Sequence, residues 1–193
     1  MPPRIQQYQS LVVEYSKNEQ NYLRIFSNTI TGVAVPESEL LAILKGQVVN
    51  LNKVFSESFA VERDSEQTAE LPNSITIKLA RSSNWASKKM RTQSDWENAF
   101  SRFQEVFTAN YHFLSQDITE YQRYVRGLFQ SVSNSYQPNI IELDAYICTQ
   151  IAQHKFSWPF SDTYRFGAYE GKYLSSNGAS FSASQRDNQG GGE

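Results

Sequence analysis

Five large rings spaced four, three, four and four residues apart constrain this chain more than any other feature: Trp96, Phe100, Phe103, Phe107 and Tyr111. That spacing returns each ring to one face of an α-helix. The opposite side carries Asn98, Arg102 and Glu105. Burying each ring is worth about 1.5–3 kcal/mol, whereas a base-stacking platform needs exposed rings set among cations. The stripe therefore reads as the inside of a helical domain. The chain has 193 residues, 13% of them aromatic. At that length roughly 70% of the unfolded surface is buried on folding, so the core needs no metal or disulfide to hold it.

Elements on either side follow the same period. Ser94 or Asp95 can cap the aromatic helix, with Glu97 completing a capping box on Ser94. A second helix spans 115–134, facing inward with Ile118, Tyr121, Val125, Leu128 and Val132. A third starts at Pro138 with Ile140, Ile141, Leu143, Ile147 and Ile151 inward, and a fourth follows Pro159. Upstream, Pro36 suits a first helical turn, Leu40, Leu41 and Leu44 supply a buried face, and Gly46 suits a C-cap. "VVNLNKVF" reads as an extended piece leading into a short helix. Residues 60–74 are polar and close on Pro72, a surface loop, and "ITIKLA" at 75–80 fits a short strand or a helix start. The expected fold is all-α. An N-terminal amphipathic helix occupies 1–32, a multi-helix domain 33–174, and a Ser/Gly/Asn/Gln-rich tail 175–193 that cannot repay its ordering entropy.

Side chains that carry chemistry are sparse. The single cysteine, Cys148, excludes an internal disulfide framework and any zinc site built on several cysteines, and it fits a reducing intracellular compartment. It shares a helical face with Asp144 and reads as a packing residue, because nothing local stabilises a thiolate. His112 and His154 lie about forty positions apart, whereas a metal pair on one helix wants a spacing of about four. Glu142 and Asp144, two apart, point to different faces. No catalytic residue, metal or cofactor is expected. The N-terminal stretch lacks the apolar run of a signal peptide, and no window approaches the 18 apolar residues of a membrane span.

Two features admit a partner. "KLARSSNWASKKMR", 78–91, holds Lys78, Arg81, Lys88, Lys89 and Arg91 around Trp85, with no acidic residue. Phosphate contact plus base stacking would use this pattern, against RNA or single-stranded DNA. A solvated connector whose tryptophan covers the core edge is the other reading, and the net charge of −2 favours it. Arg102, Arg123 and Arg126 form a second basic group on outer helix faces. Residues 4–28 read as one helix whose stripe is Ile5, Tyr8, Val12, Tyr15, Tyr22 and Phe26, interrupted by Glu19. The stripe can pack on its own domain, or it can pair with a second copy or another protein.

Three segments, in order, resemble one family: "LLAILKGQVVNLNKVF" (40–55), "SDWENAFSRFQEVF" (94–107) and "FSWPFSDTYRFGAY" (156–169). They look like the gag-like first-frame proteins of tyrosine-recombinase retroelements of the DIRS type. The matching positions are Gly46, Val49 and Leu51, then Trp96, Ala99 and Phe100, then Trp158, Asp162, Tyr164 and Arg165. The family usually has a tyrosine before the aspartate, where this chain has Ser161, and its aromatic-arginine pair falls one residue later. The family often continues into a Cys/His knuckle, for which this chain has no ligands. The resemblance implies a structural, self-associating or nucleoprotein role without catalysis. A helical adaptor that binds another protein through the stripe at 4–28 is the alternative.

Overall fold

Among the residues that the computed structural model describes (2–29, 32–64, 88–154, 160 and 162–175), every regular element is helical. The order is α1 (Pro3–Lys17), α2 (Glu19–Thr29), α3 (Glu37–Leu44), α4 (Leu51–Asp64), α5 (Gln93–Asn110), α6 (Ser115–Ser131), α7 (Gln137–Gln153) and α8 (Thr163–Glu170). Short 3₁₀ turns at His112–Leu114 and Asn134–Tyr136 join α5 to α6 and α6 to α7, and α8 runs on into a π-turn, Gly171–Ser175. The fold is all-α, as the periodicity requires. The stretch at 75–80, read as a short strand or a helix start, and the tail from 176 lie outside the described residues.

The aromatic helix α5 is the hub. Trp96, Phe100, Phe103, Phe107 and Tyr111 are all buried, at 0–6% exposure. Consecutive rings touch along the whole face, from Trp96–Phe100 at 4.6 Å to Phe107–Tyr111 at 5.1 Å. Side chains across this ladder order the bundle. Gln104 meets Thr119 and Glu97 meets Arg126, so α6 runs antiparallel to α5. Asn139 meets the Tyr173 carbonyl and Tyr146 packs on Tyr169, so α8 and its π-turn run back along α7.

The start of α5 differs from the sequence reading. Its cap is Thr92, and the capping box is Thr92 with Asp95, two residues ahead of Ser94 and Glu97. Both S-x-x-E and T-x-x-D satisfy the pattern, and tertiary partners decide. The Asp95 carboxylate accepts from the backbone N–H groups of Arg91 and Thr92. Glu97 is taken by Arg126 and by Gln93 of its own helix. Thr92→Ala is expected to cost about 1 kcal/mol, read as a lower urea midpoint at unchanged slope; Ser94→Ala should leave the midpoint alone.

Gly46 does end α3. It sits at φ +61°, and the N–H groups of Gly46 and Gln47 reach back to the carbonyls of Ile43 (3.1 Å) and Ala42 (2.8 Å). That is the Schellman pattern, which only a residue at home with positive φ completes without strain. The next helix is longer than expected: α4 continues to Asp64, through the first residues assigned to a loop. Its N-cap is Asn50, whose side chain accepts from the N–H groups of Asn52 and Lys53. The nearly buried Glu39 carboxylate accepts from the Asn50 N–H (2.7 Å) and the Lys53 ammonium (2.9 Å), clamping α3 to α4.

The single N-terminal helix of the sequence reading is two helices. Asn18, at φ −145° and ψ 61°, breaks the run between α1 and α2. Glu19, the interruption in the stripe, sits in the first turn of α2 and pairs with Lys45 at 2.8 Å. Tyr15 and Tyr22 lie on either side of the break with rings 4.7 Å apart.

Candidate functional site

The two partner-facing features have different settings. In the basic stretch, Lys78, Arg81 and Trp85 lie outside the described residues. Lys88, Lys89 and Arg91 are exposed, in a strap without regular secondary structure just ahead of α5. The strap is pinned through its backbone. The Asn52 side chain accepts from Met90 N–H at 2.9 Å, and Ser56 donates to the Lys88 carbonyl at 3.2 Å. Met90 is buried between the two lysines and Arg91, so the cations project from an anchored segment. Lys88 leans back: its ammonium stands 3.7 Å from the Phe59 ring centroid, a cation–π contact within the chain.

The stripe at 4–28 is packed on its own domain. Ile5, Tyr8 and Tyr15 are buried, and Val12, Tyr22 and Phe26 are partly buried against the same core. Tyr8 meets Phe107 and Tyr111, and Tyr15 meets Tyr111 at 6.0 Å. Arg4 pairs with buried Asp117 of α6 at 3.1 Å. What α1 and α2 turn outward is a different set, including Val13 and Ile25. Of the positions on which the family resemblance was read, Trp96, Ala99 and Phe100 are core, Gly46 is the helix cap, and Tyr164 is 95% exposed beside an Arg165–Asp162 pair of 2.9 Å. Trp158 lies outside the described residues.

The polar cluster with the most perturbed chemistry was not singled out from the sequence. Asp144 of α7 is 2% exposed. Its Oδ2 accepts from the Trp96 indole N–H of α5 (3.0 Å), and its Oδ1 accepts from the Tyr121 hydroxyl of α6 (2.6 Å) and, at 3.9 Å, from the Cys148 thiol. Burial pushes the Asp144 carboxyl up to about 6, against the pull of these three donors. Burial, and then the carboxylate, push the Tyr121 hydroxyl and the Cys148 thiol well above their ordinary ranges. A thiol shifted upward is the reverse of an activated nucleophile. Next to Cys148 lies a cavity of about 30 Å³, lined chiefly by Ile43, Val49, Phe100, Phe107 and Phe160. It holds one or two waters by volume, far short of the several hundred Å³ of a ligand site. His112 and His154 are both exposed. Among the described residues no three His, Cys, Asp or Glu side chains gather as a metal site would need, and no helix is long and apolar enough to cross a membrane.

No family model matches this chain, and neither a curated protein nor a solved structure matches it.

Proposed function

We propose that this chain is a non-catalytic assembly domain of the gag-like, retroelement kind, which self-associates inside the cell and contacts RNA or single-stranded DNA. The observation that carries the reading is the cationic strap. Lys89 and Arg91 are exposed, close in sequence, and held by backbone hydrogen bonds to α4 and α5. An anchored pair of cations loses less conformational freedom on meeting a phosphate chain than a free pair would. The motif positions shared with the gag-like proteins add to it from the sequence side.

The test is light-scattering mass over a concentration series, with and without single-stranded RNA, at about 50 and 200 mM salt. Mass above the monomer and a salt-sensitive RNA complex are expected. Each lost phosphate contact on a single strand lowers the slope of log affinity against log salt by about 0.7, so Lys89→Ala with Arg91→Ala should lower it by about 1.4. Lys88→Ala should do less, since its ammonium already sits on Phe59. A monomer of constant mass that ignores RNA even at the lower salt overturns the reading.

A further inference from the structure

We propose that Asp144 is a proton-operated latch: the folded domain holds this carboxyl as a neutral acid in mildly acidic solution and loses stability as it ionises towards neutral pH. The geometry carries the argument. The carboxyl stands where α5, α6 and α7 meet, is almost wholly removed from water, and has only uncharged donors around it. A buried carboxylate is tolerated when a cation or several backbone N–H groups compensate it. From α5 the facing group is Trp96, which does not titrate; from α6 it is Tyr121; from α7 itself it is Cys148. Phe166 of α8 and Phe160 pack on the Tyr121 ring and carry no charge. Among the described residues no lysine, arginine or histidine contributes to the carboxyl's shift.

The cluster has one hydrogen-bond arrangement for each charge state of Asp144. With Asp144 ionised, Tyr121 and Cys148 both point their protons at Oδ1. With Asp144 protonated on Oδ1, the acid donates to the Tyr121 oxygen. The Tyr121 hydroxyl then turns to Cys148 Sγ, 3.8 Å away, a contact in which either atom can donate. The Trp96 bond to Oδ2 persists in both. The latch thus changes charge by reversing one hydroxyl, without moving a helix.

The sign follows from linkage. The folded value lies above the unfolded one, so the stabilising effect is full below about pH 4 and is lost as the pH rises through about 6. Asp144→Asn mimics the neutral acid: its oxygen accepts from Trp96 and its amide donates to Tyr121. Urea unfolding of both proteins, from about pH 4 to about pH 7, cancels every other titrating group. The folding constant of the parent relative to Asp144→Asn should fall roughly 50-fold over that span. A ratio that is flat, or that rises with pH, overturns the proposal. Should Asp144→Asn not fold, the Asp144 carboxyl carbon can be titrated by NMR in the unaltered chain. A midpoint near 6 is expected, and one at or below about 4 overturns the latch. Tyr121→Phe removes a donor that favours the charged form and should move that midpoint up; a downward move counts against the assignment.

Discussion

Trp96→Ala is expected to destabilise the domain by about 3–5 kcal/mol, the range for a large ring deleted from a close-packed core. Trp96 is fully buried, stacks on Phe100 and reaches Phe129 of α6 at 5.6 Å. Its indole N–H is also the only donor to Asp144 Oδ2 among the described contacts. Trp96→Phe separates the two roles. It keeps most of the ring and leaves the carboxylate one donor short, which disfavours the charged form further. The gap between parent and Trp96→Phe should therefore be smaller in mild acid and widen above about pH 6. Chemical denaturation at two pH values reads both effects. A gap of the same size at both pH values would mean that the indole matters as volume alone.

Tyr111→Ala is the second large expected loss, again about 3–5 kcal/mol. This residue follows the last turn of α5 and is wholly buried among Tyr8, Tyr15, Phe107 and Phe113. Its hydroxyl lies 3.2 Å from the Ile43 carbonyl and 3.3 Å from that of Leu44, at the end of α3. Carbonyls at a helix end lack a partner in their own helix; the Gly46 N–H reaches that of Ile43, and the Tyr111 hydroxyl adds a donor from elsewhere in the fold. Tyr111→Phe removes that bond alone and should cost about 1–2 kcal/mol. Amide exchange would show the loss concentrated in α1 and α3, the elements this side chain gathers. A uniform loss across all helices would contradict that account.

The long helices were legible because period and punctuation agree there. The ring ladder of α5, Pro138 at the start of α7 and Gly46 after α3 each point to one answer, and the structure has it. The break at Asn18 was not legible, because Tyr15 and Tyr22 are seven apart and continue the stripe straight across it. Nor does periodicity choose between two overlapping capping boxes, a choice made by Gln137, whose side chain accepts from Gln93 N–H, and by Arg126. Lys88 reads as a free cation in sequence, and only the fold brings Phe59 beneath it.

Asp144 was within reach. Ile140, Asp144, Ile147 and Ile151 step four, three and four along one face of α7, so an acid stands in the middle of an apolar stripe. Such a residue is buried by position, whatever its chemistry prefers. The donors could not be named, since Trp96 and Tyr121 lie 48 and 23 residues away.

The packing of α1 has a consequence for synthesis of the chain. Tyr8 closes on Phe107 and Tyr111, and Arg4 on Asp117, about a hundred residues downstream. At about 5–20 residues per second, α1 leaves the ribosome roughly 5–20 s before the surface that covers it exists. For that interval Ile5, Tyr8 and Tyr15, sealed in the finished domain, are open to chaperones and to neighbouring nascent chains on the same message.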